Sequence, residues 1–425
     1  MPEDYLPSLK PLLKEAVERS PNTIIASISV AAAEAARIEN AAALYPGVSL
    51  SSSYQETTET VSQGMPSRVH GLYYSGGITQ PLFQWEALKN QAEIGKLSEK
   101  VAERNFEETY RLLAQTIREQ YIQLIGKKVL LRNAQFNLKL SKDALDAQNA
   151  RFEAGASSQA ELGAFRIANE QAQLDADRSK DDFEYAIRLF TRLVGVDSLD
   201  ESTIPLVLPH PEFSGPLADA IVVGFVGDGV ESTFQSEMYK MYVKEGALNY
   251  SIAKVRLLPK FSANASFSYS NQTSTNGVSI SQVGVQSESY AVSANWSIFD
   301  GFATRGAKLA ALASKRQYEQ QEKAYVDTAI DQISDMRHQL GFSIRAMSIA
   351  EVHYNLFEAE VKRLNQDQTL GYASQASIDS GLLTLYSTDY QRHFARSDYY
   401  DRWTEFVSLA GIDPALANVS SRYGH

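Results

Sequence analysis

The chain is written twice, with one constant offset of 216 residues between the copies. Gly155-Ala156-Ser157-Ser158-Gln159-Ala160-Glu161-Leu162 returns as Gly371-Tyr372-Ala373-Ser374-Gln375-Ala376-Ser377-Ile378. Phe83 returns as Phe299, and Val194-Gly195-Val196-Asp197 as Ala410-Gly411-Ile412-Asp413. The apolar series Ile117, Leu124, Leu131, Leu138, Leu145 returns as Ile333, Leu340, Met347, Tyr354, Val361. A single offset from Phe83 to Asp197 leaves no room for insertion or deletion. Loops tolerate length changes and packed helices do not, so this stretch reads as continuous packed helix. Two copies make a pseudo-symmetric unit and not a solenoid, which needs three or more.

Composition removes several function classes. A net charge of −11 and a pI near 5.2 argue against a nucleic-acid groove, which needs clustered Lys and Arg. The absence of Cys excludes disulfides, thiolate chemistry and a lipid anchor on an N-terminal Cys. The first twenty residues have no apolar signal-peptide core, so the chain is either cytoplasmic or has lost a signal. No run of eighteen apolar residues occurs, which excludes a transmembrane helix but not a barrel.

Each copy reads as helix, strand, strand, very long helix, tight turn, helix. Residues 8–44 form the first helix, stopped by Pro46. Val48, Leu50 and Tyr54 then alternate with Ser49, Ser51 and Ser53. After a polar stretch with Gly64 and Pro66, Leu72, Tyr74, Ile78 and Leu82 share a second strand face. In the second copy Phe261, Ala263, Ala265, Phe267 and Tyr269 alternate with Ser and Asn, as do Tyr290, Val292, Ala294, Trp296 and Ile298. These are either half-buried hairpins on helices or strands with a lipid face.

From Gln84 to Phe152 there is no Pro and only two Gly, Gly95 and Gly126, and Ile117 to Phe152 holds a strict heptad. That pattern predicts a coiled helix roughly 100 Å long at ~1.5 Å per residue. Gly155 ends it, Ser157 or Ser158 caps the next helix, and that helix runs to about Leu193. The helices over 8–44 and 158–193 together nearly match the long helix and are expected to flank it end to end. Domain boundaries follow: a first repeat 1–204, a Pro-rich linker 205–216, and a second repeat 217–425.

Four strands with one apolar face leave two unpaired edges, and about eight strands are needed to close a barrel. Sharing solves the problem: two chains give a side-chain-filled barrel of eight strands, three give twelve around water. Tyr54, Phe83, Trp85, Tyr269, Tyr290, Trp296 and Phe299 cluster near the strand ends, where an aromatic girdle belongs.

With these features the chain resembles the bacterial outer-membrane efflux proteins of the TolC type. The resemblance spans nearly the whole chain. It rests on Pro81-Leu82-Phe83, on Trp296-Ser297-Ile298-Phe299-Asp300-Gly301, on Arg151 to Gly155 with Ser158 and Leu162, and on Gly371, Ser374 and Ile378. It implies a mainly α protein with a transmembrane β part: a homotrimer with a shared 12-stranded β-barrel and an α-helical barrel. It further implies an outer-membrane exit duct for a tripartite efflux or type I secretion system, reaching into the periplasm, with an export signal removed. The implied partners are two further copies, a periplasmic adaptor, an inner-membrane transporter and outer-membrane lipid. No cofactor is implied.

The adaptor would touch the tips at Gly155, Ala156, Ser157, Ser158, Leu162, Gly371, Ala373, Ser374 and Ile378. The lipid-facing candidates are Tyr54, Phe261, Phe267, Tyr290, Val292, Trp296 and Ile298. The family's acidic gate positions are here Ser377 and Ser380, and its latching Tyr and Arg are Gln368 and Ala373. Entrance candidates are therefore Glu161, Ser377, Asp379 and Ser380, with Asp379 expected to turn toward a neighbouring Lys or Arg.

Enzyme readings lack parts. His70, His210, His338, His353, His393 and His425 are scattered, and no phosphate loop or nucleophile elbow is present. The competing reading is a soluble coiled-coil scaffold, which shares the heptads but gives no reason for two-faced strands.

Overall fold

The computed structural model describes residues 1–60, 66–275 and 279–420; Gly64 and His425 lie outside the described residues. In chain order come α1 (Pro2–Tyr5), α2 (Leu9–Arg19), α3 (Pro21–Ala42), β1 (Gly47–Glu59), β2 (Ser67–Phe83), α4 (Ala87–Glu153) and α5 (Gln159–Val194). The second repeat follows with α6 (Gly215–Gly227), α7 (Phe234–Lys254), β3 (Lys260–Thr275), β4 (Ile280–Asn295), α8 (Ala303–Thr369), α9 (Gln375–Leu409) and α10 (Ala417–Ser420). The duplication is geometric as well as textual. Both α4 and α8 are 67 residues long, and their ends differ by the same offset.

Three local expectations change. The helix expected over 8–44 is broken at Ser20-Pro21, because Pro has no N–H to continue α2 and suits the first turn of α3. The second repeat is also broken, between α6 and α7, but α6 ends about eight residues earlier than the offset would place it, and no proline marks the break. The strand expected through Ile298 ends at Asn295, leaving Trp296 and Ile298 just beyond β4. Pro216, read as linker, lies in the first turn of α6.

The chain forms two compact units, each drawing on both repeats. One contains Ser29–Glu103 and Met238–Lys323. It holds the sheet, whose order is β1-β2-β3-β4 with every pair antiparallel. Its helices meet through polar contacts as well as apolar ones: Arg37 bonds Glu99 at 2.8 Å, and Tyr242 stacks on Tyr318 at 5.0 Å.

The other unit contains Met1–Ile28, Arg104–Glu237 and Ala324–His425. Its core takes Phe106, Ile117, Tyr121 and Leu124 from α4, Leu9 and Leu13 from α2, Phe183 and Phe190 from α5, and Ile333 and Leu340 from α8. The heptad residues Ile117, Leu124, Ile333 and Leu340 are all fully buried, each contributing about 1.5–3 kcal/mol. The linker is pinned to this unit. Arg396 donates to Leu208 O, Lys128 to Ile204 O at 2.7 Å, and Tyr400 to Pro209 O at 3.3 Å.

Gly126, in the middle of α4, has a packing reason. A Cβ at Gly126 would lie 2.9 Å from His393 Nε2, so only glycine lets α9 bring that imidazole onto the α4 backbone at Ile122. Burial lowers the His393 pKa to about 4, against the pull of Asp389 and with the help of Arg396 and Arg392. On the same helix, Asp401 is pushed up to about 7 by burial, then by Glu119, Glu405 and Asp398.

Their pH effects oppose one another. Below pH ~6.5 the unfolded chain protonates its histidine and the native chain does not, so His393 destabilises progressively down to pH ~4, by about 3 kcal/mol in all. Asp401 takes its proton in the native state first, so its contribution to stability grows as pH falls from about 7. His393→Gln should therefore gain stability relative to wild type between pH 7 and 5, and Asp401→Asn should lose it. Urea midpoints at the two pH values decide the matter; parallel shifts in both variants would contradict this assignment.

Candidate functional site

The sheet register places all four alternating faces on one side. Val48 pairs with Ile78, Ile78 with Ala265, and Ala265 with Tyr290; Tyr74 pairs with Tyr269, and Ala263 with Val292. Paired residues share a face, so Val48, Leu50, Tyr54, Leu72, Tyr74, Ile78, Phe261, Phe267, Tyr269, Tyr290 and Val292 line a single apolar surface. Tyr290 is 80% exposed and Val292 74%. The opposite face is a lattice of hydroxyls and amides. Ser51 meets Ser75 at 2.7 Å, Ser262 meets Ser293 at 2.9 Å, and Asn264 donates to Ser293 at 3.0 Å.

Of the sequence candidates, Tyr54, Phe267, Tyr290 and Val292 are exposed on this surface and Phe261 is half-buried. Trp296 and Ile298 are exposed past the strand end, and Trp296 Nε1 donates to Leu257 O at 2.9 Å. Trp85 Nε1 does the same to Pro259 O at 2.8 Å, tying the exit of one repeat's hairpin to the entry of the next. Both edges, β1 and β4, carry no partner strand among the described residues. Among those residues no helix is long and apolar enough to cross a membrane.

The two helical turns are built alike. Gly155 and Gly371 have φ of 73° and 80°, the left-handed region that glycine enters without strain. Ala156 N donates to Arg151 O and Tyr372 N to Asp367 O, both at 2.8 Å, closing the helix ends. Ser158 and Ser374 then cap α5 and α9 with the same backbone angles, φ −87° and ψ 158°. Leu162 and Ile378 are buried one turn on, and Ala156, Ser158 and Ser374 stay exposed, with Ser157 and Ala373 half-buried.

The entrance candidates separate. The Glu161 carboxylate is turned back on its own turn, accepting from Ser158 N at 2.9 Å and from Ser157 Oγ at 3.0 Å. Those hydrogen bonds, the backbone one first, hold its pKa below the usual carboxylate range. Asp379 is half-buried and accepts from Gln375 Nε2 at 2.9 Å; the cation partner expected for it is not among its contacts in the described residues. Ser377 donates its N–H to Ser374 Oγ at 3.2 Å, and Ser377 and Ser380 are exposed.

Two exposed side chains at the second tip escaped the sequence reading: Leu370 and Tyr372, the latter 83% exposed. Their signal was a departure from the repeat, since Ala154-Gly155-Ala156 becomes Leu370-Gly371-Tyr372. Also unread were the strand-to-helix corners, where Trp85, Glu86 and Phe302 take positive φ of 54°, 65° and 69°.

Residues 12–186 match the family described as outer membrane efflux protein. No curated protein sequence matches the chain. Among solved structures it is similar to the CmeC outer membrane channel of Campylobacter jejuni, at 12% identity over 97% of this chain and 88% of that one, with a TM-score of 0.71. It is also similar to the outer membrane protein VceC of Vibrio cholerae, at 13% identity over 97% and 98%, TM-score 0.68. A third is the MtrE outer membrane channel of Neisseria gonorrhoeae, at 12% identity over 95% and 88%, TM-score 0.68. At these identities the likeness is one of fold.

Proposed function

We propose that this chain, which carries the outer membrane efflux protein pattern over residues 12–186 and the fold of such channels over nearly its whole length, is a trimeric outer-membrane exit duct. One observation carries the reading: a four-stranded antiparallel sheet, apolar on one face and hydroxyl-lined on the other, with both edges open. Three copies joined edge to edge supply twelve strands, enough to enclose water, and every edge N–H and C=O then has a partner. The apolar face meets lipid and the serine face lines the lumen. In this reading the two repeats, 1–204 and 217–425, are the pseudo-symmetric building blocks joined by the linker 205–216.

The tips around Gly155 and Gly371 receive a periplasmic adaptor, which links the duct to an inner-membrane transporter for efflux or type I secretion. Small exposed side chains there leave room for a helical hairpin, and Tyr372 and Leu370 offer it apolar contact. With Glu161 committed to its own turn and Asp379 half-buried against Gln375, the entrance is bordered mostly by Ser377 and Ser380, with at most one acidic ring.

Light scattering in detergent tests the assembly, with a trimer mass expected and a stable detergent-free monomer overturning it. Planar-bilayer recording of the same material should show a pore weakly blocked by trivalent cations; tight block abolished by Asp379→Ala would refute the entrance assignment. Ser374→Trp should leave the trimer intact and abolish export by the assembled system. Normal export with the bulky residue verified would reduce the motif to a turn.

A further inference from the structure

We propose that the cleft at the β4–α8 corner is a binding site for one anionic glycerophospholipid per chain, phosphate on its basic rim and acyl chain on its aromatic floor. The inference rests on the reading of the sheet as bilayer-spanning and goes beyond it by naming a lipid class and a place.

The cleft has a volume of about 490 Å³ and lies between the end of α7 and the start of α8. Its floor is Tyr250, Leu257, Phe299, Phe302 and Leu309. Phe299 and Phe302 meet edge to face at 5.5 Å, and both rings are exposed. Phe302 adopts φ 69°, a conformation that costs any residue but glycine, and it follows Gly301 at φ 62°. Backbone strain is thus spent on turning an apolar ring outward.

The rim is basic in an acidic protein. Arg305 and Lys308 line the cleft, Arg256 and Lys260 line a neighbouring one between α7 and α8, and none of the four forms a salt bridge among the described residues. The acid that lines the cleft, Asp300, is engaged: its Oδ2 accepts from Thr304 N at 2.8 Å and from Thr304 Oγ1 at 2.6 Å, and the charge of Arg256 also acts on it. Unpaired cations beside exposed aromatic rings suit a ligand with an anionic head and an apolar tail, because anionic lipid surfaces attract basic side chains near the interface.

Position agrees with chemistry. On β3 the apolar face runs from Tyr269 to Phe261, about 26 Å along the strand at ~3.3 Å per residue and roughly 20 Å in height at a barrel's 35–45° tilt, which fits within the roughly 25 Å apolar band of membrane barrels. On β4 it continues past the strand through Trp296 and Ile298, and the cleft begins at Phe299. The basic rim therefore sits where the hydrocarbon ends and phosphates begin. The first repeat has no equivalent, since Glu86, Lys89 and Ala92 stand at the positions of Phe302, Arg305 and Lys308.

The test uses the full chain, purified in detergent and delipidated, titrated with phosphatidylglycerol or phosphatidylcholine and read by native mass spectrometry. Three phosphatidylglycerols per trimer are expected, retained at least tenfold more tightly than phosphatidylcholine. Arg305→Gln with Lys308→Gln should abolish that preference. Phe302→Gly, which relieves the backbone and so folds, should weaken retention of both lipids. A wild-type trimer that conducts across bilayers yet binds the two lipids equally overturns the site alone. Variants that lower the trimer mass while leaving lipid counts unchanged overturn it as well, and make the cleft an interface between copies. A chain that forms no pore overturns the underlying reading instead.

Discussion

Replacing Arg118 by leucine is expected to destabilise the folded chain by about 3–5 kcal/mol, the cost of stranding buried charge. Arg118 is 1% exposed and holds two carboxylates at once. Its Nε and Nη2 donate to Glu3 at 2.9 and 2.6 Å, and its Nη1 and Nη2 to Asp413 at 2.6 and 2.8 Å. The clasp binds residue 3, the middle of α4 and residue 413 into one core. Burial works against the guanidinium's charge, but the bonds to Asp413 and Glu3 outweigh it and raise its pKa. Without the arginine, both carboxylates stay buried and unpaired. Arg118→Leu combined with Glu3→Gln and Asp413→Asn should recover much of the loss, since the stranded charges are gone. Arg363→Ala, which removes exposed pairs with Glu360 and Asp367, should cost no more than about 1 kcal/mol. Urea unfolding in detergent measures all three; equal losses for Arg118→Leu and Arg363→Ala would show that burial does not set the energetics here.

Val292→Arg should cost roughly 2–4 kcal/mol per chain, the price measured for a cation at a bilayer midplane. Val292 lies on the apolar face between Tyr290 and Ala294 and opposite Ala263. Its neighbour Ser293 points the other way, into the hydroxyl lattice with Ser262 and Asn264. Ser293→Arg should therefore assemble normally and change single-channel conductance, a ring of three cations being added to the lumen. Trimer yield on reconstitution into lipid separates the two. If both variants assemble equally well, the proposed inside and outside of the barrel are unsupported.

Much of this architecture was legible because its determinants are local. Strand faces follow from a period of two, so the surface from Val48 to Val292 could be written down before any pairing was known. The 67-residue helices follow from heptads without Pro, and both turns from Gly155 and Gly371. The role of Glu161 was also readable: Ser158 followed three residues later by Glu161 is a capping-box pattern. Reading it as a channel carboxylate gave weight to charge over spacing.

Long-range pairings were not legible. Nothing in the spacing of Glu3, Arg118 and Asp413 marks them as partners, nor Gly126 and His393, because hydrogen bonds across a core leave no periodicity in the chain. The strand end at Asn295 and the left-handed Phe302 were likewise decided by how the hairpin meets its helices. Periodicity records which face each element must bury. Only the folded chain decides which distant charges those faces bring together, since a buried ion pair is stable only when its partners arrive in bonding geometry.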